Sequence, residues 1–322
     1  MTLLARDMAQ QGALLESMVL TSQAVALTRA AGALADHRLV RFAGIGSSRH
    51  VAGYGAACLD VLGGIPTTLL AAPGAGVPLP RFGPEQLLVI VSQSGQTPAL
   101  LSVAAAARGA GATVLALTNT PSSPLEDTAD LVLHAAAGPE SVVPATKSVT
   151  AMMLLLRALA APVTAPSVRQ LAALVTGLVQ DKDGQVAALA AQHPLPDLVV
   201  CGGFAGQWVA DEVAIKLAEM AAHLAVPESV VDFLHGPAAV VAPTLAFLDP
   251  LDPNAAAVAS RPSVVTVGPS ADYALPLLSC GDAFLDPIAN VVAGQCLALH
   301  WAQSHGVDPD DPRGLQKVTL TQ

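Results

Sequence analysis

The hydrophobic pattern changes period at Leu39. Before it, residues 5–33 set apolar Leu14, Leu15, Met18 and Val19 among polar Gln10, Gln11 and Glu16, a spacing that predicts one or two opening helices. From Leu39 onward, short apolar runs end in small polar residues and lead into helices. Residues 39–44 form a strand running into Ile45-Gly-Ser-Ser48, and residues 51–62 are the helix after it. Residues 87–91 are wholly apolar, end in Ser92-Gln-Ser-Gly-Gln-Thr97, and precede a helix that starts at Pro98, a residue suited to a first helical turn. Residues 113–117 and 130–134 are further strands with a short helical stretch between them. This alternation predicts an α/β fold with a parallel sheet covered on both faces.

Two long helical patterns, 147–162 and 167–192, are separated by Pro162 and Pro166, and the domain boundary is placed there. The second half restarts with an apolar strand from Asp197 to Cys201, a glycine turn over 202–206 and a helix from Gln207 to His223. Strands near 239–248 and 263–267 follow, without a second Ser-Gln-Ser-Gly. An internal duplication with one specialised half accounts for the echo.

The length of 322 residues fits about two domains. Hydrophobic residues reach 52% with only 3% aromatics, so the apolar mass is Ala, Val and Leu, the material of close-packed helices on buried strands. Long uncharged stretches such as 61–80 are broken by Gly and Pro, so no membrane span is expected. The start, Met1-Thr-Leu-Leu-Ala-Arg-Asp7, lacks the basic-then-apolar order of a secretory signal, and a cytoplasmic protein is expected. A net charge of -10 with basic residues scattered singly argues against a nucleic-acid partner. Cys58, Cys201, Cys280 and Cys296 form no CxxC and the eight histidines are dispersed, so neither a disulfide framework nor a metal site is expected.

The loop Ser92–Thr97 places three hydroxyls, two amides and a glycine between a buried strand and a helix N-terminus, where α/β sheets bind ligands and free N–H groups attract anions. Ser47 and Ser48 end another strand in the same way. Plain helix capping is the alternative for either loop. Gly44-Ile-Gly-Ser-Ser-Arg49 lacks the third glycine of a dinucleotide fingerprint, and no GxxxxGK[ST] occurs.

Only four lysines occur, Lys147, Lys182, Lys216 and Lys317. On a helix, Glu212, Lys216 and Glu219 fall within roughly 60° of one another and form one stripe. Facing water, the stripe is a solvated salt bridge. Buried, it is a carboxylate beside an ammonium, equipment for moving a proton between adjacent sugar carbons. His235 sits before a Gly-Pro turn, and Lys317 stands in an apolar tail, either snorkelling or desolvated and open to imine formation with a carbonyl.

Together these segments resemble the sugar isomerase (SIS) family, which includes the isomerase domain of glutamine-fructose-6-phosphate aminotransferase and SIS-type glucosamine-6-phosphate deaminases. The matching stretches are Gly46-Ser-Ser48, Ser92–Thr97, Ala137-Gly-Pro-Glu140 with Ala145-Thr-Lys147, Glu212-x3-Lys216-x2-Glu219, His235-Gly-Pro237 and Asp311-Pro-Arg-x-Leu-x-Lys317. The resemblance implies two SIS domains, each a parallel five-stranded sheet flanked by helices in a flavodoxin-like αβα sandwich. Helices would occupy 1–34, a phosphate-binding domain 35–165, a domain with the catalytic helix and histidine loop 166–310, and a tail closing the active site 311–322.

It further implies that Ser47, Ser48, Ser92, Gln93, Ser94 and Thr97 hold a sugar phosphate and that the backbone around Val143 lines the sugar. Glu219 would carry the proton between C1 and C2, with Lys216 and Glu212 polarising or orienting it. His235 would assist ring opening from the neighbouring subunit of a homodimer with shared sites, and Lys317 would meet the open-chain carbonyl. No cofactor is implied. The aminotransferase branch carries a glutaminase with a nucleophilic cysteine, and no cysteine precedes Cys58 here, so glutamine hydrolysis is not expected.

The tail Gly306-Val-Asp-Pro-Asp310 and the loop Phe233-Leu-His235 resemble the deaminase branch, which converts glucosamine 6-phosphate to fructose 6-phosphate and ammonia. Asp232 replaces a Glu of the aminotransferase pattern, and Pro144 and Ala145 alter its sugar loop. Other expectations within the family are ketose–aldose isomerisation, galactosamine-6-phosphate deamination and fructosamine-phosphate deglycation. Outside enzymes, the expectation is a sugar-phosphate sensor, although the acidic, helical N-terminus offers no basic helix-turn-helix.

Overall fold

The computed structural model describes the chain apart from residues 19–22, 72–77, 182–183, 194–197, 204–205, 241 and 318–322 and the side chains of Gln23 and Leu198. Val19, Lys182, Asp197, the middle of the 202–206 turn and the last tail residues therefore lie outside the described residues. Three helices open the chain, α1 (Leu3–Ala9), α2 (Gln11–Met18) and α3 (Gln23–Ala35), where the periodicity predicts one or two. The extra division falls at Gln10, the C-cap of α1.

The next elements are β1 (Leu39–Ala43), α4 (Ser47–Gly63), β2 (Thr67–Leu69), β3 (Gln86–Ser92), α5 (Pro98–Gly109), β4 (Thr113–Thr118), α6 (Pro124–Thr128), β5 (Leu131–His134) and α7 (Lys147–Ala160). The strands form a parallel sheet in the order β2-β1-β3-β4-β5. Every residue of the central β3 is buried, as its unbroken apolar run requires of a strand covered on both faces. Alternation sends Leu88 and Ile90 to one face, where they pack with Leu100, Val103, Ala104 and Ala107 of α5. Burial of such side chains stabilises by about 1.5–3 kcal/mol each.

Beyond α7 come α8 (Ala165–Gln180), α9 (Gln185–Gln192), β6 (Leu198–Gly202), α10 (Gly206–Ala221), β7 (Ala225–Ser229), α11 (Val230–His235), β8 (Thr244–Phe247), α12 (Ala255–Ala259), β9 (Val264–Gly268), β10 (Leu275–Pro276) and α13 (Asp286–Ser304). The periodicity predicts one helix over 167–192, but the structure breaks it. Asp181 takes a φ of 41° and turns its carboxylate to the N–H groups of Val186 and Ala187, so one side chain ends α8 and caps α9. The strand expected from 239 starts only at Thr244, because Pro237–Ala239 is a tight 3-10 turn. The second sheet is also parallel, in the order β10-β9-β8-β6-β7. Numbered within its own half, each sheet runs 2-1-3-4-5, the doubly wound flavodoxin-like order.

Two compact units result. The first comprises Leu14–Glu140, Lys147–Ala165 and Leu315–Gln322, and the second Met1–Ala13, Ser141–Thr146 and Pro166–Gly314. In the second, α10 packs on α13, and Cys201, Val230, Phe233, Ala246, Leu248 and Val258 form a buried cluster. The start of the tail is held there by Asp310, whose carboxylate accepts the N–H groups of Leu3 and Leu4 at the start of α1. Among the described residues, no helix is long and apolar enough to cross a membrane.

Candidate active site

In a sheet of order 2-1-3-4-5, the loops after the first and third strands diverge to opposite faces, and the crevice between them at the strands' carboxyl ends accepts ligands. In the first unit that crevice lies between Gly44–Gly46 after β1 and Ser92–Thr97 after β3. Ser47 and Ser48 do not precede the helix, as the sequence suggests; they are its first two residues and are partly exposed. Their N–H groups are therefore among the four that a helix leaves without an internal acceptor. Thr97 is the N-cap of α5, yet its side chain makes no capping bond, so its hydroxyl is not used as capping would use it.

The Ser92–Thr97 loop is held by its own atoms. The Ser92 hydroxyl accepts the Gly95 N–H at 3.1 Å, and the Ser94 hydroxyl accepts that of Gln96 at 3.2 Å. Gly95 has φ 62°, and a Cβ there would lie 2.2 Å from the Ser123 hydroxyl, so the turn needs glycine twice over. Behind the loop, the Gln93 carbonyl accepts the Asn119 N–H and the Thr118 and Thr120 hydroxyls at 3.1–3.4 Å. Asn119 then donates its amide to the Gly138 carbonyl and accepts the Ala137 N–H.

Two residues farther on, Glu140 is fully buried. It takes the Ser148 hydroxyl at 2.6 Å and N–H at 3.3 Å, and its Oε2 lies 3.7 Å from the Lys317 Nζ. The sequence offered no signal for Asn119 and assigned no role to Glu140, because both act through contacts distant along the chain.

Val143, Glu212, Lys216, Glu219 and His235 belong to the second unit, and Lys317 joins Ser47, Ser48 and Ser92–Thr97 in the first. On α10 the charged stripe is not a solvated face. The Lys216 side chain is 0% exposed, with Glu219 Oε2 at 2.5 Å and Glu212 Oε1 at 3.6 Å; Glu212 is 1% exposed and Glu219 15%. The seam reaches the surface only at Glu219. His235 ends α11 and is exposed, while Val143 is partly exposed. Asp232 is taken up locally, its N–H and carboxylate paired with the Ser229 hydroxyl at the start of α11.

The equivalent crevice of the second unit, between the loops after β6 and β8, is lined differently. A Cβ at Gly203 would lie 2.2 Å from Asp252 Oδ2, so a carboxylate stands against the turn that follows β6. Burial, Glu228 and Asp252 push the Cys201 thiol up to about 12, and burial, Asp249 and Asp252 raise the Tyr273 phenol. A carboxylate at that turn disfavours a second anion beside it. The four cysteines are buried, and burial also carries Cys296 up to about 12 and raises Cys280, so these two and Cys201 lack the lowered pKa that makes a thiol nucleophilic.

The SIS domain family model matches residues 33–162. Glutamine--fructose-6-phosphate aminotransferase [isomerizing] of Aeropyrum pernix is 30% identical over 329 residues, which cover 92% of this chain and 53% of that protein. The chain thus spans about half the length of the curated relatives it matches. Among solved structures, the C-terminal domain of glucosamine-fructose-6-phosphate aminotransferase from Francisella tularensis superposes with a TM-score of 0.82 at 19% identity, over 96% of this chain and 98% of that one. Glucosamine-6-phosphate deaminase from Thermotoga maritima superposes at 0.78 with 21% identity, over 99% and 100%. At these identities the two structures speak for the fold.

Proposed function

Through residues 33–162 the chain belongs to the SIS family, and from that premise we propose that it acts on an amino-sugar 6-phosphate, converting glucosamine 6-phosphate to fructose 6-phosphate and ammonia. The observation that carries the reading is the buried Glu212–Lys216–Glu219 seam. Burying ions costs on the order of several kcal/mol each, and their pairing returns that only in part, so such a cluster contributes little to stability. A carboxylate at the seam's one exposed end is suited to proton transfer.

In this reading the first unit grips the phosphate with neutral donors, the N–H groups and hydroxyls of Ser47, Ser48, Ser92, Ser94 and Thr97 and the Gln93 amide. The second unit supplies the proton chemistry. His235 protonates the ring oxygen as the pyranose opens. Glu219 takes the C2 proton and returns it to C1 while the aldehyde oxygen is protonated, which leaves a C2 ketimine. Water adds to that carbon and ammonia departs, giving the ketose. Lys216 holds the Glu219 carboxylate, Glu212 holds Lys216, the backbone around Val143 lines the sugar, and Lys317 faces the open-chain carbonyl. The exposed His235, with Val226 and Val231 exposed on β7 and α11, suits coverage by a second copy in a homodimer.

The test incubates purified protein with glucosamine 6-phosphate and measures ammonia and fructose 6-phosphate. Both are expected, and Glu219→Gln is expected to lower kcat by about 10²–10⁴-fold. A panel of galactosamine 6-phosphate, fructosamine phosphates and simple ketose phosphates separates the neighbouring reactions. Binding without turnover of any of them would mark a sensor.

A further inference from the structure

We infer that Glu140 is a positioning residue that seats the amine of Lys317 and keeps it in register with the anion crevice. The inference rests on the reading of Lys317 as the group that meets the sugar carbonyl. Lys317 inverts the usual behaviour of a surface lysine. A snorkelling lysine buries its stem and wets its ammonium, whereas here the side chain is 29% exposed and the Nζ itself is buried. Glu140 Oε2 pairs with it at 3.7 Å, on a side chain with 0% exposure.

That carboxylate is fixed in its turn. Ser148, in the first turn of α7, gives it a hydroxyl and an N–H, so it lies at the helix end where negative charge is favoured. On its other side the segment from Ala137 to Glu140 is tied by Asn119 to the Gln93 carbonyl, which is the back of the anion loop. Gln93, Asn119, Gly138, Glu140 and Lys317 thus form one chain of contacts within the first unit, along the carboxyl ends of β3, β4 and β5. A phosphate held by the loop and an amine held by Glu140 would be set against one rigid body. A tail lysine without such a seat would sample many rotamers, and ordering it would oppose the reaction.

The test is site-resolved reductive methylation read by mass spectrometry, which four lysines make clean. In the unaltered protein, Lys317 is expected to react about tenfold or more slowly than the same lysine in a synthetic peptide of residues 310–322. Equal rates would overturn the proposal without any variant. In Glu140→Gln, Lys317 is expected to approach the peptide rate. Lys147 and Lys216, 2% and 0% exposed, stay protected and certify the fold.

With glucosamine 6-phosphate as substrate, the same variant is expected to lose about tenfold or more in kcat with KM nearly unchanged, because the phosphate grip is untouched. A folded Glu140→Gln protein with Lys317 still protected, or with Lys317 released and kcat unaltered, refutes the inference. If the natural protein turns over no phosphosugar, the functional reading fails while the methylation result still decides whether the seat exists.

Discussion

Lys216 and Lys317 both hide their amines, and neither burial is legible from the residue type. Glu-x3-Lys at helical spacing is the commonest surface pair, and only packing on α10 turns it into an enclosed seam. The same holds for the thiols. Spacing gave no reason to expect paired cysteines, but the raised values of Cys201 and Cys296, to about 12 each, come from their surroundings. Their sign fixes a pH dependence. The unfolded chain ionises these thiols from near pH 9 while the folded chain retains their protons to about 12, so across that window the unfolded state binds fewer protons and stability falls as pH rises. The limiting slope is about 1.4 kcal/mol per pH unit for each thiol. Urea melts at pH 8 and pH 10.5 should show the loss, and a Cys201→Ala, Cys296→Ala protein should show less of it. Equal losses in both proteins would assign it to other groups.

Among the elements, those with a strong local signature were readable. These include β1, β3, β4 and the helices behind them, because an apolar run closed by Gly, Ser or Thr is written in adjacent residues. Of the edge strands, β5 was readable, whereas β2, β7 and β10 were not. β2 has three residues and β10 two, and β7 contains Pro227, tolerable there because it lies at the sheet edge. Such strands exist because a neighbour pairs with them. In the proposed function, the Ser92–Thr97 turn is the element on which phosphate binding depends most. Gly95→Ala places a methyl group against Ser123 at a φ of 62°, so sugar-phosphate binding measured by calorimetry is expected to weaken about tenfold or more, while the far-UV spectrum is retained. Unchanged affinity would remove this loop from the binding role.

On the scale of the whole molecule, the proposed homodimer makes a prediction that no single chain can meet. If His235 serves the partner's site, mixing the inactive variants Glu219→Gln and His235→Ala, unfolding them and refolding them together should restore roughly a quarter of the natural activity. Half of the dimers are then mixed, and each carries one intact site. No recovery, with dimers confirmed by sedimentation, would place His235 in its own chain's site or outside catalysis.

The α/β class, the alternation of strand, loop and helix, and the two hydroxyl-rich segments, at 47–48 and 92–97, were determined by sequence alone, since periodicity and turn chemistry act between near neighbours. The tertiary structure set a carboxylate, that of Asp252, against the turn of one of two equivalent crevices and left the other to the hydroxyl-rich loop. It also decided that Glu219 is the open end of a buried seam and that Glu140 meets Lys317. Those outcomes depend on sheet order and on contacts between residues far apart in the chain, where the sum of packing, desolvation and loop closure chooses the partner and no local pattern records the choice.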